Sequence, residues 1–315
     1  MIATDPPSAR GLKQDAEDVA ASPWVERLAR FGYIVRGVLY GLAGLLTMLF
    51  AAGYLEHAAS RRDAVETLAQ QPFGNVLLVL ITVGLVGYTA WGLIRAMLDP
   101  LGKGTDAKGI AQRLGYLVSA ASYALLLVLA VQLLANTQRL PMGGAGAESS
   151  DGSQAQELTG WVLAQPLGAW IVGIAGLWMI GAGLGEAYKA IKATFAKEFD
   201  RRRMSATELQ IAERLGRVGH GSRAVVFTLI GIFIVKAAVE ANPGQVRGLG
   251  GALEELATQP FGPPLLFVVA LGLVAFGIFS AMHARWMHMD VPGDARDSER
   301  SRRLDHHDAN YRRAA

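Results

Sequence analysis

Six stretches of the chain, 33–54, 73–97, 114–135, 167–187, 219–239 and 261–284, are apolar on every side. Runs such as VLLVLITVGLVGYTAWGLI and PPLLFVVALGLVAFGIF carry no polar stripe, which a helix on the surface of a soluble bundle would need. At about 1.5 Å per residue each stretch is long enough to cross roughly 30 Å of bilayer hydrocarbon. The pattern predicts six transmembrane helices. Polar sequence fills the rest: a segment over 1–27, a basic linker over 191–213 and a charged tail over 287–315.

The spans repeat. RFGYIVRGVLYGLAG from Arg30, RLGYLVSAASYALLL from Arg113 and RVGHGSRAVVFTLIG from Arg217 superpose without gaps. They align Gly32 with Gly115 and Gly219, and Tyr40 with Tyr123 and Phe227. Each second span opens on a matching signature: Gln71, Pro72 and Gly74, then Gln165, Pro166 and Gly168, then Gln259, Pro260 and Gly262, at intervals of 94 residues. The units cover 28–100, 110–190 and 214–286. From opening arginine to Gln-Pro the distances are 41, 52 and 42 residues, which places an insertion in the middle unit at NTQRLPMGGAGAESSDGSQ. Two spans per unit make successive copies enter the membrane in the same sense. The predicted fold is an all-α membrane protein, six transmembrane helices in three parallel two-helix hairpin repeats with a pseudo-threefold arrangement. AVETLAQ, AQELTGWVLA and GGALEELAT, ahead of the Gln-Pro pairs, are expected to be brief helices on the outer surface. Pro72, Pro166 and Pro260 are then expected at or near N1 of the following span, where a missing N–H costs nothing.

These signatures resemble the DUF1206 family of bacterial integral membrane proteins, whose name records an unknown function. The resemblance covers about residues 28 to 286. The first unit carries the pattern most fully, in Gly32, Tyr33, Arg36 and Gly37, then Gln71, Pro72, Phe73 and Gly74. The second keeps Gly115 and Tyr116 but has Ser119 for the arginine, and the third has His220 for the tyrosine and keeps Arg223. The family implies membrane insertion in a bacterial inner membrane. It implies no activity, substrate or cofactor.

Charge sets the expected orientation. Of the 30 basic residues, 23 lie before the first span, around the second and fourth connections or from Arg285 onward; at most five, Arg61, Arg62, Arg139, Arg247 and Lys236, fall on the other side. The positive-inside rule then puts both termini in the cytoplasm. The first 24 residues are polar and mixed in charge, unlike a signal peptide. With no cysteine in the chain, disulfides and thiol chemistry are excluded. The 37 glycines suit close helix crossings.

Candidate chemistry is sparse. Arg36 and Arg223 lie one turn inside their spans, where an arginine snorkels to headgroups, pairs with a carbonyl or carboxylate, or binds an anion or anionic lipid. Glu186 stands near the same end of the membrane, and no acidic residue falls in the middle of a span. Gly37 and Gly41, and Gly181 and Gly185, form GxxxG pairs that pack within the chain or between copies. The linker portion KATFAKEFDRRR reads as a basic, partly amphipathic continuation of the fourth span, whose Arg201, Arg202 and Arg203 are candidates for anionic lipid. A new helix is expected to start after Ser205, with Glu208 at N3. No catalytic constellation, metal site or cofactor-binding motif is present in the sequence. Expected partners are membrane lipids, with anionic headgroups at the cytoplasmic face, and a second copy of the chain; no nucleic acid is expected. The functional expectation is a non-enzymatic scaffold or lipid-interacting protein. A channel or small-solute transporter around the repeat axis is the alternative.

Overall fold

The computed structural model describes residues 22–97, 106–135, 153–199 and 203–287. The first 21 residues, most of the expected insertion, Arg201, Arg202 and the tail from His288 lie outside the described residues. The helices are α1 (Pro23–Ala51), α2 (Arg61–Ala69), α3 (Gly74–Met97), α4 (Ala107–Leu134), α5 (Ser153–Leu163), α6 (Gly168–Lys192), α7 (Ala206–Val239), α8 (Leu249–Thr258) and α9 (Gly262–Trp286). Six of them, α1, α3, α4, α6, α7 and α9, are long and apolar enough to span a bilayer. The protein is an all-α, six-span membrane protein of three helical units, each a long, a short and a long helix.

The odd spans α1, α4 and α7 begin at Pro23, Ala107 and Ala206, well before their apolar runs. Hydropathy registers only the part in hydrocarbon, whereas the helix continues into polar sequence beyond it. The end of the bundle where these helices start is called the basic end below.

The Gln-Pro signature is a tight turn, identical in the three units. The N–H of Gly74, Gly168 and Gly262 donates to the carbonyl of Gln71, Gln165 and Gln259 at 2.8, 2.9 and 2.7 Å. Proline takes the second position, and Phe73, Leu167 and Phe261 take the third at φ of 67°, 66° and 61°. That is the pattern of a type II turn, which normally has glycine at its third position. The prolines therefore lie two residues before the first helical residue, within the turn, and not at N1. A Cβ on Gly74, Gly168 or Gly262 would collide with the carbonyl oxygen of Ala69, Val162 or Ala257 at the end of the short helix. The strained third residue points outward: Phe73, Leu167 and Phe261 are 82%, 72% and 86% exposed.

A second recurrent device joins the units at the basic end. Arg113 donates to the carbonyls of Ala96 and Met97 that close α3. Arg217 does the same to Ala190 and Ile191 near the end of α6. Arg30 donates to Ala284, Arg285 and Met287 at the end of α9. These acceptors sit at matching positions 94 residues apart. Each opening arginine thus caps the second span of another unit, where unpaired carbonyls and the helix dipole both favour a cation.

Packing follows the same order. α1 lies against α3 and α9, α3 against α4, α7 against α6 and α9. Small residues set these distances: a Cβ on Gly37 of α1 would lie 2.6 Å from the carbonyl oxygen of Gly277 of α9, so the two backbones are in contact. Between apolar helices in lipid such contacts supply most of the attraction. α4 and α6, the two spans of the middle unit, share no comparable packed face.

Candidate functional site

The polar groups of the spans gather inside the bundle. On α1, Tyr33, Arg36 and Tyr40 recur at three- and four-residue spacing, which keeps them on one face. Arg36 turns inward: its Nη1 donates to the hydroxyl of Tyr88 on α3 at 2.8 Å, and its Cζ lies 4.6 Å from the ring centroid of Phe276 on α9. Arg223, its counterpart on α7, lies 4.5 Å from the same ring and 4.8 Å from that of Phe227. Two guanidinium groups therefore converge on one aromatic ring. Towards the basic end, Arg95 of α3 donates to the Tyr33 hydroxyl at 3.1 Å and lies 4.4 Å over the ring of Tyr116 on α4. From the opposite end Arg61, at the start of α2, reaches the Ser122 hydroxyl at 3.3 Å and stands over Tyr123 and Tyr40 at 5.3 and 5.6 Å. Arginines and tyrosines line the interior from one half of the membrane into the other.

Negative charge is scarce there. Glu186, buried on α6, has Oε2 at 2.6 Å from His220 Nδ1 and 3.3 Å from Arg223, and Oε1 at 2.8 Å from Lys189 Nζ. Glu198, half out in solvent, lies 3.6 Å from His283 at the basic end. Among the described residues no carboxylate comes within ion-pair distance of Arg36 or Arg95. Cation–π contacts of about 0.5–2 kcal/mol each and single phenol hydrogen bonds hold these two cations. Taking an ion out of water costs several kcal/mol. Arg95 Nε, Arg223 Nε and the Tyr123 hydroxyl are buried without a hydrogen-bond partner, although nearly all buried polar groups have one. The arrangement is suited to an anion with several acceptor oxygens.

The structure alters several expectations. Of the readings open for Arg36 and Arg223, the structure shows both turned inward among aromatic rings. Glu186, which the sequence could not place, pairs with Arg223. Beyond Lys192 the linker is not a continuing helix. Ala193 turns the chain at φ 48°, and a short 3-10 segment, Thr194–Glu198, folds it under the bundle. There Phe195 stacks on His220 with centroids 4.9 Å apart, and Phe199 meets the His283 ring at 5.5 Å. Its apolar residues are thus spent on the core, which ends the amphipathic-helix reading for 193–199. The cap beyond it is as expected, with Ser205 and Glu208 bonded reciprocally. Arg203 is described and Arg201 and Arg202 are not. Of the two GxxxG pairs, Gly37 and Gly41 meet Gly277 of α9 through their backbones, although a Cβ at Gly41 itself would find open space, as it would at Gly181 and Gly185.

Sequence reasoning missed Arg95, Tyr88 and Phe276. Arg95 passed as a topological charge, and Tyr88 and Phe276 as span residues. The signal was the 94-residue register, which continues past the turn and equates Tyr88 with Phe276. Both rings occupy the same place: a Cβ on Gly32 would meet Tyr88 N at 2.6 Å, and one on Gly219 would meet Phe276 Cα at 2.7 Å.

Comparison with known proteins places the chain among relatives of undefined activity. The model of a family described as Domain of Unknown Function (DUF1206) matches residues 31–99, 114–193 and 218–287, the three units. An uncharacterised protein, YxxB of Bacillus subtilis (strain 168), is 36% identical over 267 residues, covering 85% of this chain and 93% of the relative. No solved structure matches.

Proposed function

The chain belongs to the DUF1206 family, and from the interior it encloses we propose that it is an anion-binding membrane protein of the carrier or channel class. Three units are arranged about one axis along the membrane normal, in parallel, with the basic end in the cytoplasm. Support for the axis is the cyclic set of arginine caps, in which the first unit caps the third, the second the first and the third the second. Support for the orientation is the excess of basic residues at one end.

The observation that carries the reading is the convergence of Arg36 and Arg223 on Phe276 at 4.6 and 4.5 Å. Two unit charges at those distances from one ring are at most about 9 Å apart and repel by roughly 2 kcal/mol or more at an effective dielectric of about 20. Of these two arginines Glu186 meets Arg223 and not Arg36. Among the described residues Arg36 holds its charge amid phenols and rings, and Arg95 adds to these only the longer-range attraction of Glu198, an electrostatic debt that an anion would cancel. A scaffold has no need of charged groups along its axis, so the polar interior favours solute binding over the scaffold. Nothing in the cluster resembles a nucleophile paired with a base, and the reading is non-enzymatic.

The test is anion flux into proteoliposomes, with chloride, nitrate, phosphate and acetate as probes. Wild-type protein should pass or bind at least one of them, with a loss of about tenfold or more in Arg36→Gln and Arg223→Gln. Absence of binding and flux for all four in the wild type would overturn the reading.

A further inference from the structure

The middle unit departs from the other two at two positions, and both departures face the same gap. In the first unit Gly84 lets α3 close on Val35 of α1, and in the third Gly272 lets α9 close on Ser222 of α7; a Cβ at either glycine would collide. The corresponding residue of the middle unit, 94 after Gly84 and 94 before Gly272, is Trp178. One turn on, where the outer units carry the rings of Tyr88 and Phe276, the middle unit has Ala182. The bulk has moved by one helical turn, and α6 cannot close on α4 as α3 does on α1. Gly115, counterpart of Gly32 and Gly219, has only the rim of Trp178, 4.0 Å from a Cβ built there. α4 and α6 are accordingly splayed. Their exposed residues, Leu117, Val118 and Leu125 on one side and Ile174, Leu177 and Leu184 on the other, give both helices apolar faces.

The inner side of this seam is polar. Ser119 stands where the outer units have Arg36 and Arg223, so the middle sector lacks both the guanidinium and the ring that fill the other two. Tyr116 on α4 carries Arg95, 4.4 Å from its ring. Across from the seam is Arg36, which no described carboxylate meets.

Building on the reading of the interior as an anion site, we propose that its ligand is an acyl-chain-bearing anion taken from the bilayer through the α4–α6 seam. The headgroup sits against Arg36 and Arg95, at the sector left open by Ser119 and Ala182, and the chain runs out past Trp178 between the apolar faces of α4 and α6. Charge complementarity selects the headgroup, and the seam selects the tail. A small hydrophilic anion satisfies only the first. Trp178 is the wedge that keeps the seam apart.

The test uses the full chain in nanodiscs of mixed phosphatidylglycerol and phosphatidylcholine. Lipid retained through detergent extraction is quantified, and inorganic phosphate binding is measured alongside. The wild type should retain phosphatidylglycerol over phosphatidylcholine by about tenfold, a difference near 1.4 kcal/mol. Arg36→Gln with Arg95→Gln should abolish the preference. Trp178→Gly, which removes the wedge and leaves the headgroup sector untouched, should let α6 close on α4, abolish the preference and leave phosphate binding intact. A preference that survives closing the seam overturns the proposal, and so does equal retention of both lipids by the wild type. Loss of phosphate binding in the arginine variants alone, with lipid retention never selective, upholds the anion site and removes the lipid. Because the wedge variant can fail to fold, lipids brominated on their chains provide a second measurement. They should quench the Trp178 signal, taken as wild type minus Trp178→Phe, more strongly on phosphatidylglycerol than on phosphatidylcholine; equal quenching counts as ordinary boundary lipid and overturns the proposal.

Discussion

Replacing Arg36 by methionine separates a structural arginine from one kept for a ligand. Methionine keeps most of the volume and adapts to an irregular site. The substitution removes the hydrogen bond to Tyr88, worth about 1.5–3 kcal/mol for a charged donor, and the contacts with Phe276, Tyr88 and Tyr33, of about 0.5–2 kcal/mol each. Against that it removes roughly 2 kcal/mol of repulsion from Arg223 and a desolvation cost of several kcal/mol. The two sides nearly cancel. The protein without ligand should therefore unfold within about 2 kcal/mol of wild type. The ligand-bound protein should differ sharply: an anion at about 100 times its dissociation constant adds roughly 2.7 kcal/mol to wild type and nothing to Arg36→Met. Thermal unfolding in detergent, with and without phosphate or phosphatidylglycerol, reads both quantities. A loss above about 3 kcal/mol in the unliganded variant, with the ligand-induced shift retained, would refute the reasoning and make Arg36 a structural cation.

Other expectations follow from the recurring devices. Arg113→Ala strips two charge-assisted bonds from the end of α3 and should lower stability by about 2–4 kcal/mol, read as a lower unfolding temperature, whereas Arg27→Ala, an ordinary basic-end residue, should change it by less than about 1 kcal/mol. Gly168→Ala puts a Cβ into the Val162 carbonyl and should abolish accumulation of folded protein, measured as the monodisperse fraction after extraction. Phe261→Gly relieves a positive φ of 61° at an exposed site and should leave the fold intact or stabilise it by about 1 kcal/mol, unless the ring is a stronger membrane anchor than the turn is strained; a fall in stability above about 1 kcal/mol would assign the residue to anchoring.

The architecture was legible in the sequence because hydropathy and repetition are local signals. Runs of twenty apolar residues announce the spans, and the Gln-Pro-Phe-Gly pattern announces a turn wherever it recurs. Arg30, Arg113 and Arg217 were equally visible as markers of the repeat, yet their acceptors are carbonyls on a different unit, and no feature of the sequence names a carbonyl. The site was less legible for a related reason. Arg95 counts identically towards topology whether it meets water or lies over Tyr116. Trp178 looks like any membrane tryptophan until Gly84 and Gly272 are recognised as its counterparts and α4 is found apart from α6. The linker misled because KATFAKEFDRRR has helical periodicity, whereas burying Phe195 and Phe199 against His220 and His283 outweighed continuing the helix past Ala193.

The central claim is that the repeat axis holds an anion among Arg36, Arg95 and Arg223, and anomalous diffraction from crystals of the full chain soaked in bromide tests it most directly. The account predicts a bromide peak within hydrogen-bonding reach of the Arg36 and Arg95 guanidinium groups, absent in Arg36→Gln. Bromide confined to the outer surface, with the interior arginines satisfied by protein groups alone, would contradict it.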